Sequence, residues 1–216
     1  MLTKVGIIGS GVVGQTLANG FITHGYEVLI GTNTSSKHDE LLAKTHGKAQ
    51  VGTFRDAAAF GHVVVLATKG SAAEAALISA GVDHLAGKTV IDTTNPIADA
   101  PPVNGVLQYF TLQNDSLMEQ LQRAVPAAHF VKAFNSIGNA LMVNPSLPGG
   151  KPTMFICGND AGAKADVTAI LDQFGFEVED AGGVEGARAI EPLCILWCLP
   201  GFRENDWNHA LAMLRG

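Results

Sequence analysis

The chain opens on an apolar run, Val5-Gly6-Ile7-Ile8, and then alternates short β-branched stretches with Ala- and Leu-rich amphipathic ones. Short continuous apolar runs suit strands buried on both faces, and their alternation with helical patterns suits a parallel sheet covered on both sides. Strands are expected at Val5 to Ile8, Glu27 to Ile30, Ala49 to Gly52, His62 to Thr68, Lys88 to Asp92 and His129 to Phe134. Between them the pattern predicts helices at Gln15 to His24, Lys37 to His46, Ala72 to Ser79 and Ser116 to Val125, with a helical turn at Arg55 to Phe60. The segment Thr93 to Phe110 carries Pro96, Pro101, Pro102, Asn104 and Gly105 and reads as a loop too long to be a mere connector, a kind that is usually functional or mobile.

Asn144 to Lys151, with two prolines and two glycines, marks the expected boundary between a first unit, residues 1–148, and a small C-terminal extension, residues 149–216, packed on it. In the extension Thr153 to Cys157 and Glu177 to Asp180 read as strands and Ala161 to Phe174 as a helix. A final helical region starts near Ala187 and is expected to break at Pro200-Gly201. Cys194 and Cys198 stand four apart on one helical face, an arrangement that suits packing better than a disulfide.

The first strand runs directly into Gly9-Ser10-Gly11-Val12-Val13-Gly14, a G-x-G-x-x-G turn that opens a helix. Gly9 permits the tight turn, Gly11 lets backbone approach a pyrophosphate, and Gly14 lets the helix pack close to the strand. The helix N-terminus then faces the anion. A dinucleotide-binding, Rossmann-type, doubly wound α/β fold follows, with a mainly parallel sheet and a short α/β extension. An NAD site usually places an acid about 20 residues beyond the glycines, on the ribose 2′-hydroxyl. Here the second strand leads into Gly31-Thr32-Asn33-Thr34-Ser35-Ser36-Lys37, with no carboxylate before Asp39. Hydroxyls and a lysine suit a 2′-phosphate, so NADP(H) is the expected cofactor, held by Thr32, Asn33, Ser35 and Lys37.

Composition narrows the class further. At 216 residues, 47% hydrophobic and 16% charged, the chain has the makings of a folded core and not of a disordered segment. A formal net charge of −6 without a basic stripe argues against nucleic acid as the partner. No apolar run reaches spanning length and the first strand begins almost at Met1, so neither membrane insertion nor a signal peptide is expected, and the expected compartment is the cytoplasm. Cys157, Cys194 and Cys198 lack the paired spacing of a zinc site and read as free buried thiols. No metal site is expected.

Three predicted strand ends carry compact polar groups where ligands of open parallel sheets bind. They are Ala67-Thr68-Lys69-Gly70, Asp92-Thr93-Thr94-Asn95-Pro96 and Ala133-Phe134-Asn135-Ser136. Together with the glycine turn and Gly31-Thr32, the Asp92 to Pro96 and Lys132 to Asn135 segments resemble the coenzyme F420-dependent NADP oxidoreductase family, over nearly the whole chain. The resemblance implies that Gly9, Ser10, Gly11, Val12 and Val13 line the pyrophosphate and that Thr32 and Asn33 meet the 2′-phosphate. It also implies that Ala67, Thr68 and Lys69 border the nicotinamide ribose and that Asn95 and Asn135 edge the nicotinamide. One departure is Asn33, where the family often has Arg.

No Ser-His-Asp or two-carboxylate arrangement is evident, so the expected chemistry is hydride transfer by alignment, without an assigned catalytic acid or base. The implied acceptor is a deazaflavin (F420) or flavin-like ring, and the expected assembly is a homodimer. Two other readings stay open: a non-catalytic NADP(H)-binding sensor, and a small imine or carbonyl reductase drawing a proton from Lys69, Lys132 or His129. A cavity blocked by Tyr109, Phe110 or Trp197 would favour the sensor.

Overall fold

In the computed structural model, which describes residues 3–216, six strands form one parallel sheet. They are β1 (Lys4–Ile8), β2 (Glu27–Gly31), β3 (Gln50–Gly52), β4 (Val63–Leu66), β5 (Thr89–Asp92) and β6 (His129–Lys132). Their order is β3-β2-β1-β4-β5-β6, so the winding reverses between β1 and β4 and leaves a crevice beyond their carboxyl ends.

Residues alternate strictly across the sheet. Val5, Ile7, Ile30, Val63, Val65, Ile91 and Val131 face one side, where α1 (Val12–Thr23) and α6 (Ala161–Gln173) cover them. Ile8, Val64, Leu66, Val90 and Phe130 face the other, under α3 (Phe54–Phe60), α4 (Ala73–Ala80) and α5 (Leu117–Ala124). Between these, α2 (His38–Lys44) follows a single 3-10 turn at Ser35–Lys37. Both faces are dry, which is why the strands are apolar without interruption.

The remaining chain forms β7 (Thr153–Ile156), β8 (Glu177–Asp180) and α7 (Ala187–Glu204). β7 and β8 pair in parallel, and a bridge between Lys132 and Cys157 ties them to the edge of β6. Phe174, just after α6, packs 5.0 Å from Phe21 of α1, so the apolar cluster on that face runs without a gap from Val5 to Phe176.

Three elements depart from the expected pattern. α7 is not broken at Pro200-Gly201 but continues to Glu204. Pro200 has no N–H and so leaves only the carbonyl of Leu196 without its helical donor, and Leu196 lies on the exposed side of the helix where water can serve instead, while Trp197, Cys198 and Gly201 hold the other side in the core. β6 stops at Lys132 rather than Phe134, because Phe134 takes a left-handed conformation, φ 62°, and swings the chain out of the sheet. Its ring is buried against Phe174 and Phe176, which supports a backbone state that aromatic residues rarely adopt. The proline-rich loop, finally, folds back on itself: Ile97 bridges Tyr109, Val103 bridges Val106, and Ala98 N donates to Gln108 O.

Candidate functional site

Gly9 leaves β1 with φ 126°, and a Cβ there would lie 2.2 Å from the carbonyl oxygen of Ala67. Only glycine fits this turn. Gly14 lies one helical turn further, where a Cβ would meet Gly9 O at 2.3 Å, so α1 presses directly on the turn. Gly11 is different. A Cβ on it would meet nothing within 4 Å, and no side chain caps the helix that follows it. The first-turn N–H groups of α1 therefore point, uncapped, into open space beside a residue without a side chain, which is the cradle an anion needs.

Ser10 Oγ donates to Thr32 Oγ1 at 3.0 Å, linking the turn to the end of β2, and Thr34 N donates to the same oxygen at 3.2 Å. Thr32 is buried, while Asn33, Ser35 and Lys37 project from the exposed turn beyond it. No carboxylate stands between Thr32 and Asp39.

On the other side of the switch point is a cavity of about 410 Å³. Gly11, Val12, Val13, Ala67, Thr68, Lys69 and Asn95, all expected at the site, line it, with Gly70, Thr93 and Thr94 of the strand ends and Ile97, Ala98 and Asp99 of the folded loop. Thr68 is one of the lining residues, and its Oγ1 is buried without a hydrogen-bond partner. Lys69 and Asp99 face each other across the mouth, 3.7 Å apart, both largely exposed. Asn135 does not line the cavity but stands behind Asn95, buried, with its Nδ2 also bonded to Ile190 O of α7.

Of the proton donors considered from sequence, Lys69 lines the cavity and the other two are placed elsewhere. His129 begins β6, so it lies at the amino end of the sheet, away from the strand ends, 3.8 Å from Asp160. Lys132 ends β6 and is fully buried, with Asp92 2.6 Å and Glu191 2.9 Å away. Burial alone pulls an ammonium's pKa down, but these two carboxylates outweigh it and hold Lys132 charged. Glu191, in the middle of α7, also accepts hydrogen bonds from the first-turn amides Leu117 N and Met118 N of α5. Sequence reasoning missed it. Its signal was a single acid inside the apolar run Ala-Ile-Glu-Pro-Leu-Cys-Ile-Leu-Trp, a placement that calls for a buried cation.

Behind the loop, Trp197, Cys194 and Cys198 of α7 pack with Ile97 and Leu107. Cys194 and Cys198 are free, as is Cys157, whose thiol burial pushes up to about 12. The tail after α7 crosses back over this group: His209 stacks on Trp197 at 5.1 Å, and Thr153 N of β7 donates to Leu211 O. Tyr109 sends its hydroxyl to Glu191 O at 2.6 Å. None of Tyr109, Phe110 and Trp197 lines the cavity.

The model of the family described as NADP oxidoreductase, coenzyme F420-dependent, matches residues 4–96. A solved structure from Arthrobacter sp. FB24, given as a candidate F420-dependent NADP-reductase, is 33% identical, covers the whole of both chains and superposes with a TM-score of 0.91. The chain belongs to the coenzyme F420-dependent NADP oxidoreductase family. Within this family of NADP-dependent oxidoreductases the glycine turn, the β2 end and the Asp92 to Asn95 segment fall inside the matched residues. The rat metalloreductase STEAP3 is 32% identical over 202 residues, 91% of this chain, and the chain spans only 38% of that protein's length. An imine reductase from Streptomyces aurantiacus, 17% identical with a TM-score of 0.67 over 94% of this chain and 64% of its own, shares the fold. Among the described residues no helix is long and apolar enough to cross a membrane, and no cluster of His, Cys, Asp and Glu could hold a metal ion.

Proposed function

We propose that this protein transfers a hydride between NADP(H) and a planar deazaflavin (F420) or flavin-type ring. The observation that carries the reading is the cavity at the switch point: it stays open beside the glycine turn, its walls are mostly apolar, and its only ionisable lining groups, Lys69 and Asp99, are paired with each other at the mouth. An apolar space with few polar groups suits a ring. Reduction of a small carbonyl or imine benefits from a positioned acid; His129 and Lys132 are both out of reach, and Lys69, which lines the cavity, is largely exposed and paired with Asp99. The sensor reading predicts a blocked space, and Tyr109, Phe110 and Trp197 leave it clear.

The residues fit the cofactor. The bare Gly11 and the uncapped α1 amides would receive the pyrophosphate, Thr32 with Asn33, Ser35 and Lys37 the 2′-phosphate, and the orphaned Thr68 hydroxyl the ribose or carboxamide beside it. Bound NADP(H) supplies the hydride. The protein's part would be to hold the two rings together in the space lined by Val12, Val13, Ala67, Asn95 and Ile97, with Lys69 and Asp99 paired at its mouth.

The test is single-turnover oxidation of NADPH with F420, FMN, FAD and a panel of cyclic imines and small ketones. A ring acceptor should react well above the background rate. If only an imine or ketone reacts, and Lys69→Met stops it, the ring reading is replaced by a small-molecule reductase with Lys69 as the acid. If nothing reacts although NADPH binds, the sensor takes its place.

A further inference from the structure

Thr94 forms part of the cavity wall, and all three of its polar atoms are held by buried charges. Its N and its Oγ1 both donate to Asp92 Oδ1, at 2.9 and 2.6 Å. Its carbonyl accepts from Lys132 Nζ at 2.9 Å. An ammonium has three donors. Lys132 Nζ stands against three oxygens from two parts of the chain: it donates to Thr94 O of the wall and is ion-paired with Asp92 Oδ2 at 2.6 Å, two residues before Thr94 at the end of β5, and with Glu191 Oε1 at 2.9 Å on α7. The exposures of Lys132, Asp92 and Glu191 are 0%, 0% and 2%, so solvent does not compete for these contacts. The surplus negative charge is offset as well, since the Glu191 carboxylate sits on the first-turn amides of α5, the positive end of that helix.

From this we infer that Lys132 is a positioning residue for the cavity, acting through Thr94, with Asp92 and Glu191 as its anchors. A buried ion cluster is a weak source of stability, because well-packed apolar side chains often serve the core as well or better. What an apolar side chain cannot do is grip a carbonyl on a loop. The grip matters at this point because Thr94 is followed by Asn95 and Pro96, which set the wall where it turns into the folded loop, and Gly70 is pressed so close to Asn95 O that a Cβ would lie 2.0 Å from it. With Thr94 pinned from below and Asn95 pressed from the side, the wall has one position. Glu191 makes that position depend on α7, the helix that backs the loop through Trp197 and Ile97. The role in turnover rests on the hydride-transfer reading above; the immobilisation of the wall does not.

Hydrogen exchange of peptides spanning residues 93–98 separates these. In Lys132→Met we expect exchange there to rise about tenfold or more, beyond any change at β1 and β4, since local opening and global unfolding are distinct processes. The same variant should weaken NADPH binding by about tenfold. Because Lys132→Met leaves two buried carboxylates against no cation, Lys132→Met/Glu191→Gln is the companion, restoring the original charge balance; its melting temperature should recover while the loop stays fast. For the case in which both fail to fold, Glu191→Gln alone, which keeps a carbonyl acceptor for Lys132 but loses the charge, should speed exchange at 93–98 about two- to threefold with β1 unchanged. A merely structural role would lower the melting temperature and raise exchange everywhere alike. Uniform exchange changes, or wild-type protection at 93–98 in whichever variant folds, overturn the inference. Exchange reads the wall whether or not cofactor binds, so a wild-type protein that ignores NADPH would count against the functional reading and leave this contrast intact.

Discussion

Asn95 and Asn135 hold each other by two hydrogen bonds, Asn95 Nδ2 to Asn135 O at 2.8 Å and Asn135 Nδ2 to Asn95 Oδ1 at 3.1 Å. The pair stitches the end of β5 to the end of β6 across the floor of the site. Only Asn95 faces the cavity, so the two residues should respond differently to substitution. Asn95→Ala removes a lining group and a lock, and is expected to lower single-turnover rate by roughly 100-fold; Asn135→Ala loosens the lock and the tie to Ile190 O without removing a lining group, and is expected to lower it by roughly tenfold. Equal losses in stopped-flow traces would mean that both act only through the fold.

The glycine turn gives a contrast within one helix. Gly11→Val adds atoms only to open space, so NADPH binding should vanish by calorimetry while the far-UV circular dichroism and melting temperature stay within about 2 °C of the parent. Gly14→Ala drives a methyl against Gly9 O and is expected to lower the melting temperature by several degrees, roughly 5 °C or more. A Gly11 variant that still binds NADPH would make the turn purely structural.

Cofactor choice rests on the hydroxyl-rich β2 end. NADPH should bind at least about tenfold more tightly than NADH. Thr32→Asp brings a carboxylate to the buried end of β2 and should reverse that ratio by repelling a 2′-phosphate. Competition titrations with both cofactors decide it; an unchanged ratio removes Thr32 from the ribose.

Acid should weaken the fold through Glu119. Arg188, first, and then Ser116 hold its carboxyl at about 2, against 4.5 for a free side chain. A carboxyl depressed in the folded state contributes stability that is complete above its unfolded value and is lost as pH falls toward its folded one. The loss should therefore spread from about pH 5 down to about pH 2. Arg188→Met is expected to flatten that part of a melting-temperature profile and leave the profile above pH 6 parallel to the parent's.

Much of this was legible from residues alone because its signals are local. The β1 run, the three glycines and the helix behind them follow one another directly, and the steric reasons given for Gly9 and Gly14 are met by the packing of Gly9 on Ala67 and Gly14 on Gly9. The polar strand ends were legible too, since strand direction alone brings them to one edge. That same reasoning, applied to His129, separates it from Lys132: a residue opening a parallel strand cannot share an edge with one closing it. What sequence did not carry was distance. Glu191 announces a buried partner without saying that the partner is Lys132, and the prolines of the 93–110 loop announce a break in helix and sheet without saying that Ile97 will bridge Tyr109. Pro200 misled for a related reason, as the helix through it is kept by Trp197 and Gly201 in the core and not by local preference.

The contacts of Glu191 also impose an order of events on synthesis. By the time Lys132 has been made the residues of all six strands of the main sheet have been too, yet the lysine has only one of its two carboxylates and the Leu117 and Met118 amides of α5 lack their acceptor. Every such nascent chain has the residues of the whole sheet and lacks one anchor of the ligand cleft. The acid that finishes the cleft is made within α7, so a chain cut short before it would leave Lys132 with Asp92 alone and the Leu117 and Met118 amides unclaimed, the kind of loosened structure that cellular proteases remove.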